Sequence, residues 1–205
     1  LTVFHGEKKA LIHEILPRQT EFSRKSAGKR TEVQVMATNL DHVYVVQSLD
    51  KNYNLNRLER YLVMIRESGA EPGVILNKSD LAEHPLTSLE EIRKTMHDVP
   101  VFLISAKTGD GFDELRVNIQ AGETIALVGS SGVGKSTIIN QLAGADIQKT
   151  REVRVGDSKG RHTTTRRELI VLPGGGLLVD TPGMREFHLW SADEGLEDTF
   201  DDILE

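Results

Sequence analysis

The sequence predicts an α/β fold, a mostly parallel sheet with helices on both faces. Along residues 33–179, short apolar segments rich in β-branched residues alternate with segments whose apolar residues recur at helical spacing. A Gly-rich loop joins one of these strands to the helix after it. The composition, with 38% hydrophobic and 27% charged residues, is typical of a folded globular chain.

The first thirty residues predict only fragments of structure. Two strand-like pieces, Thr2–Phe4 and Ala10–Ile12, flank a turn at Gly6, and Arg18–Arg30 is polar and basic, as expected of a linker. The chain is therefore divided into an N-terminal remnant with a basic linker (1–30), a main domain (31–195) and the start of a further C-terminal connection (196–205).

The regular elements of the main domain follow in order. The predicted strands are Val33–Ala37, His42–Val46, Pro72–Leu76, Val101–Ile104, Thr124–Val128, Arg167–Leu172 and Gly176–Val179. Helical spacing marks Leu55–Ile65, Leu89–Met96, Phe112–Leu115 and Lys135–Leu142, and Gly69 is placed to end the first of these helices. Parallel strands joined in this way bring their carboxyl ends to one edge of the sheet, where such folds bind ligands.

One loop has the pattern of a phosphate-binding loop. Gly129–Ser136 reads GSSGVGKS and satisfies G-x-x-x-x-G-K-[ST], with a strand before it and a helix after it. Glycines let the backbone N–H groups point inward at phosphate oxygens, Lys135 suits the terminal phosphates and the transfer step, and the Ser136 hydroxyl suits Mg²⁺. A ligand-free strand-to-helix turn is the alternative, which the flanking elements disfavour. The predicted phosphate-binding residues are Gly129, Ser130, Ser131, Gly132, Val133, Gly134, Lys135, Ser136 and Thr137.

Two further motifs predict that the base is guanine. In the sequence NKSD, the Asp80 carboxylate can accept from N1–H and the exocyclic amine of guanine, a donor pair that adenine lacks. The stem of Lys78 can lie over the purine ring, and Asn77 can tie neighbouring loops together. Alone, N-K-x-D is usually a surface turn, but here S-A-K follows the next strand and can supply a backbone N–H to O6. The predicted base-site residues are Asn77, Lys78, Ser79, Asp80, Ser105, Ala106 and Lys107.

Two segments after the phosphate loop predict the γ-phosphate and metal contacts. Asp180 begins a D-T-P-G turn at a strand end, where it can hold Mg²⁺ through water, and the N–H of Gly183 can reach the γ-phosphate. Upstream, the loop RHTTTR offers a threonine to complete the metal shell. The residues favour Thr164 or Thr165 without choosing between them, and a β-rich loop without metal is the alternative.

The residue that orients the hydrolytic water is less clearly marked. Met184 stands where many GTPases carry a water-orienting glutamine, and its thioether cannot do this work. The candidates are His162 in the threonine loop, a partner, or the substrate phosphate. We therefore expect slow intrinsic hydrolysis that a partner accelerates. His162 and Lys135 are the candidate catalytic side chains. A solvent-exposed histidine without a role is the alternative.

The order of the motifs is rotated, because the base-reading motif precedes the phosphate loop. In this order and in several stretches the chain resembles the circularly permuted ribosome-associated GTPases of the RsgA/YjeQ family. The matching stretches are Ile15–Arg18, Phe22–Arg24, Asn77–Asp80, Gly129–Ser136, Gly160–Thr165 and Asp180–Phe187. The resemblance implies GTP hydrolysis during late maturation of the small ribosomal subunit. It also implies an OB-fold represented here by a remnant at 1–30, and zinc only in a C-terminal domain absent from this chain.

The remaining expectations concern partners and location. The small subunit and its rRNA are the implied partners, and the basic stretches at 18–30 and 149–167 suit rRNA phosphates although the net charge is −6. The chain has no cysteine and no long apolar run, which predicts a cytoplasmic protein without a membrane partner. Nothing in the sequence suggests an obligate dimer, so a monomer is expected. Two alternatives stay open: a nucleotide-gated scaffold with incidental hydrolysis, and a kinase-like phosphotransferase.

Overall fold

The computed structural model describes residues 3–6, 9–25, 33–50, 53–147 and 168–180. Within these ranges the strands are β1 (Val3–Gly6), β2 (Lys9–Ile12), β3 (Glu21–Lys25), β4 (Val33–Thr38), β5 (His42–Ser48), β6 (Glu71–Asn77), β7 (Val101–Leu103), β8 (Thr124–Val128), β9 (Glu168–Val171) and β10 (Leu177–Asp180). The α-helices are α1 (Leu55–Glu67), α2 (Pro85–Thr95), α3 (Phe112–Asn118) and α4 (Lys135–Ala143).

In the described part of the chain, six strands form the main sheet in the order β7-β6-β5-β8-β10-β9. All neighbouring pairs are parallel except β9 and β10, which form an antiparallel hairpin. The predicted mostly parallel sheet is therefore confirmed. The carboxyl ends of β5, β6, β7, β8 and β10 share one edge, and this edge receives the loops that carry the sequence motifs.

Helices cover both faces of this sheet, as predicted. Along β5, Val43 and Val45 join one apolar cluster, while Tyr44 and Val46 join the other, because successive side chains of a strand point to opposite faces. The first cluster takes the apolar residues of α1 and α2, and the second takes those of α3 and α4. Coverage on both sides explains why the central strands are apolar throughout instead of alternating.

The helix α1 has clear boundaries. The Asn54 side chain accepts a hydrogen bond from the Arg57 N–H at 2.8 Å and caps the amino end. At the carboxyl end, Ser68 is the cap and Gly69 follows with a φ of 84°, close to the predicted stop. Among the described residues, no helix has both the length and the apolar character that a bilayer crossing requires.

The segment before residue 30 differs from its prediction. The polar and basic composition of Arg18–Arg30 predicts a linker, but Glu21–Lys25 forms β3, which pairs with β4 in an antiparallel sheet that is separate from the main sheet among the described residues. Phe22 and Met36 from this hairpin are buried in the cluster that faces α1. The linker interpretation is wrong for β3, because one buried aromatic residue anchors an otherwise polar segment. The domain division at residue 30 stays a prediction.

Candidate nucleotide-binding site

The phosphate loop turns sharply between β8 and α4. Gly129, Gly132 and Gly134 have φ values of 144°, 78° and 99°, which L-residues rarely adopt. Two of these positions also lack room for a side chain. A Cβ on Gly129 would lie 2.3 Å from the Val46 carbonyl oxygen, and one on Gly134 would lie 2.2 Å from Asn77 Nδ2. The glycines therefore permit both the curl of the loop and its close contact with β5 and β6.

Lys135 folds back over this loop instead of pointing to solvent. Lys135 is only 6% exposed, and its Nζ donates to the carbonyl oxygens of Gly129 and Ser130 at 2.7 and 2.6 Å. Lys135 also begins α4, so its ammonium lies near the positive end of that helix. A buried ammonium beside a helix N-terminus is suited to anionic ligands, and phosphate is the anion that this type of loop accommodates.

Asn77 joins the base-reading motif to the phosphate loop. Its Nδ2 donates to the Val133 carbonyl oxygen at 2.8 Å, and its Oδ1 accepts from the Ala106 N–H at 2.9 Å. The residue is 2% exposed, so these hydrogen bonds form away from water. One amide thus connects the end of β6, the phosphate loop and the loop after β7.

Asp80 lies on a short 3-10 helix, Ser79–Leu81, that the sequence did not predict. Its Oδ1 accepts from the Ser105 Oγ at 2.7 Å, and Ser105 itself is fully buried. The Ser79 N–H donates to the Ile104 carbonyl oxygen at 3.1 Å and attaches this turn to the end of β7. Ser105 therefore sets the orientation of an exposed carboxylate at the carboxyl edge of the sheet.

Lys78 has a partner that sequence reasoning missed. The residue has a φ of 64°, in the left-handed region, and its Nζ pairs with Asp50 Oδ2 at 2.8 Å. The other carboxylate oxygen of Asp50 accepts from Ser48 Oγ at 2.7 Å. Asp50 follows β5 by two residues, so its position after a predicted strand, on the ligand-binding edge, was the signal available in the sequence.

In the loop after β7, two of the three S-A-K backbone donors are already used. The Ser105 N–H donates to the Asp110 carbonyl oxygen at 3.0 Å, and the Ala106 N–H donates to Asn77. The Lys107 N–H has no acceptor among the residues that the structure describes. Sequence reasoning left open which of the three N–H groups would contact the base, and this geometry favours Lys107.

The two described metal candidates lie beside the phosphate loop. Asp180 ends β10 and is 3% exposed, and β10 runs parallel to β8 with Val179 opposite Ala126. Ser136 is half-buried in the first turn of α4. A hydroxyl and a carboxylate next to a phosphate site are oxygen donors that fit Mg²⁺. The predicted residues His162, Thr164, Thr165 and Gly183 lie outside the described residues.

Replacing Gly134 with alanine should destabilise the nucleotide-free protein by about 2–4 kcal/mol. The new Cβ must displace the Asn77 amide, and the alanine backbone must keep a positive φ that is strained for an L-residue. Gly132→Ala is the matched control, since Gly132 also has a positive φ but nothing within 4 Å of the added Cβ. We expect about 1 kcal/mol for the control. Chemical denaturation curves would measure both, and equal losses would contradict the steric explanation.

The fold and the loop geometry together define a class. A phosphate loop between β8 and α4, a base-reading turn after β6 and an S-A-K loop after β7 are the parts of a P-loop GTPase domain. Here the base-reading turn comes earlier in the chain than the phosphate loop, so the domain is circularly permuted. More narrowly, the chain belongs to the RsgA GTPase family, whose profile matches residues 15–190.

Individual relatives agree with this assignment. A protein of Methanosarcina acetivorans named small ribosomal subunit biogenesis GTPase RsgA is 49% identical over 195 residues, covering 95% of this chain and 53% of that protein. A protein of the same name from Syntrophotalea carbinolica is 46% identical over 201 residues, covering 94% and 55%. The chain thus spans about half the length of these curated relatives.

Solved structures show the same fold. The crystal structure of YjeQ from Thermotoga maritima superposes with a TM-score of 0.64 at 25% identity, over 88% of this chain and 57% of that one. YloQ, described as a circularly permuted GTPase, superposes with a TM-score of 0.53 at 24% identity, over 86% and 60%. The rotated order of elements is therefore a property of the fold that this chain shares.

Proposed function

We propose that this chain binds GTP and GDP with Mg²⁺ and hydrolyses GTP as part of a factor for late maturation of the small ribosomal subunit. The observation that carries the proposal is the Asn77 amide, which contacts Val133 and Ala106 at once. It brings the turn that carries Asp80 and the loop that carries Lys135 to one edge of the sheet.

The base site would distinguish guanine from adenine by its donors and acceptors. Asp80, oriented by Ser105, accepts from N1–H and the exocyclic amine, while the Lys107 N–H donates to O6. The Asp50 carboxylate holds the Lys78 ammonium and thereby extends its aliphatic stem along one side of the site. An adenine base would cover the Asp80 carboxylate without offering it the two guanine donors, a cost of about 1–3 kcal/mol.

The phosphate site would combine the loop amides, the Lys135 ammonium and the N-terminus of α4. Ser136 and Asp180 would hold Mg²⁺, together with Thr164 or Thr165, and Gly183 would contact the γ-phosphate. The metal supplies charge neutralisation on the phosphate oxygens when bound. The position of Asp180, buried at the end of β10 where this strand lies next to β8, supports its role as one of these oxygen donors.

The wider role rests on the family and on the relatives named for small-subunit biogenesis. We propose that the small subunit and its rRNA are the partners, contacted through the basic segments at 18–30 and 149–167, and that the chain acts as a cytoplasmic monomer. In the same proposal, residues 1–30 include the end of an OB-fold, residues 31–195 are the GTPase domain, and residues 196–205 lead to a zinc-binding domain.

GTP turnover with and without purified small subunits tests this function. We expect slow intrinsic hydrolysis, stimulation by the subunits, and competition by GDP but not by ADP. His162→Ala should reduce the stimulated rate at least about tenfold, within the range for a general-base or water-positioning group. His84→Ala, at an exposed site before α2, is the control.

Two other outcomes would indicate a different function, and a third would contradict the role proposed for His162. Nucleotide binding without any stimulation would indicate a nucleotide-gated scaffold. Preference for ATP would indicate a kinase-like enzyme. Fast turnover that needs no subunit and is unchanged in His162→Ala would contradict the proposed role of this histidine.

A further inference from the structure

A residue outside every sequence motif contacts the phosphate loop. Arg57 lies on α1, and its Nη1 donates to the Ser130 Oγ at 2.8 Å across 73 residues of sequence. Ser130 is the second residue of the loop, and its carbonyl oxygen accepts from Lys135 Nζ at 2.6 Å. The hydroxyl and the carbonyl of Ser130 are therefore each held by a cationic side chain.

The amino end of α1 is itself fastened to the main sheet. Gln47 near the end of β5 is 4% exposed, and its Nε2 donates to the Asn54 carbonyl oxygen at 2.8 Å. In return, the Asn54 N–H donates to Gln47 Oε1 at 3.0 Å. Because Asn54 also caps the Arg57 N–H, the backbone of Arg57 is fixed relative to β5. The Arg57 side chain therefore extends from a fixed backbone position, and its guanidinium lies against the phosphate loop.

We propose that Arg57 is a positioning residue of the phosphate loop, and that its hydrogen bond to Ser130 keeps the first turn of the loop in its phosphate-binding conformation. This inference rests on the proposed nucleotide site and deepens it. A guanidinium donates in a fixed plane, so it restricts the Ser130 hydroxyl more than water does. Restricting the loop before the ligand arrives lowers the ordering cost of binding.

A double-mutant cycle on the 205-residue chain tests this role. Fluorescent GDP titrations with Mg²⁺ would be made on Arg57→Ala, Ser130→Ala and the double variant. We expect each single change to weaken GDP binding about tenfold, as for the loss of one charge-assisted hydrogen bond. The double variant should be no weaker than either single variant within about twofold, because both remove the same contact.

Two further variants separate positioning from general structure. Arg57→Lys keeps a charged donor and should recover part of the affinity. Arg66→Ala is the matched control, since Arg66 is on the same helix but pairs with the exposed Asp98. It should bind GDP like the wild type. The unfolding temperature without nucleotide should be the same within a few degrees for Arg57→Ala and Arg66→Ala.

The outcomes are distinguishable from those of the proposed function. If the wild type binds GDP and Arg57→Ala binds it equally well, the inference is overturned while the function stands. A double variant weakened about a hundredfold would show independent effects and would also overturn it. If the wild type does not bind GDP, the proposed function fails and this inference fails with it.

Discussion

Replacing Asp80 with asparagine is expected to weaken GDP binding at least about a hundredfold and to strengthen binding of xanthosine diphosphate. An asparagine keeps one acceptor oxygen but presents an amide N–H₂ where the guanine amine requires an acceptor. Losing one hydrogen bond to a charged group and opposing two donors costs about 3 kcal/mol. Xanthine carries a carbonyl in place of that amine, so the asparagine amide matches it.

Competitive titration of the fluorescent GDP complex with both nucleotides measures this change in specificity. Asp113→Asn is the control, because this carboxylate is fully exposed on α3, where it pairs with Arg116. It should leave both affinities unchanged. A loss of GDP binding without any gain for xanthosine diphosphate would indicate that Asp80 supports the loop through Ser105 instead of contacting the base.

The second large effect is expected from Asn77→Ala. This change leaves the Val133 carbonyl oxygen and the Ala106 N–H without their partner in a buried place. Two such groups cost about 2–4 kcal/mol of unfolding free energy. The Asn77 side chain bonds to both the phosphate loop and the loop after β7. Without it the two loops are no longer held together, so GDP affinity should fall at least about a hundredfold.

Chemical denaturation and GDP titration together measure both consequences. Asn56→Ala is the control, since Asn56 is exposed on α1 and should change neither quantity by more than about 0.5 kcal/mol. A destabilised Asn77→Ala variant that still binds GDP normally would show that the two loops hold their positions independently. In that case the bridge would serve stability alone.

The fold was largely predictable because its elements have strong local signals. The β5, β6 and β8 segments are apolar on both faces, and this pattern requires a covered parallel sheet. β3 was not predictable in this way. Its charged residues are typical of a linker, and it is the pairing of β3 with β4, together with the burial of Phe22 against the α1 face, that shows the segment to be part of the packed structure.

In the candidate site, too, the residues with local sequence signals were predicted and those that depend on distant contacts were not. The phosphate loop was readable because its glycines carry out a local task, which is to let the backbone curl at Gly129 and Gly134. The partners Asp50 and Arg57 were harder to predict, and the one signal was the position of Asp50 after a predicted strand, on the ligand-binding edge. Neither belongs to a spaced motif, and a single charged residue after a strand or on a helix is usually solvated.

By itself, the sequence determined the class of fold, the rotated order of motifs and the residue types of the site. These properties depend on neighbouring residues, whose spacing controls strand, turn and helix. Only the tertiary structure decided which residues, far apart in the sequence, touch. The contact of Asn77 with Val133 spans 56 residues and that of Arg57 with Ser130 spans 73. Such contacts depend on β5, β6 and β8 lying side by side in the sheet. Local periodicity predicts the strands but carries no information about their order, so it could not predict these contacts.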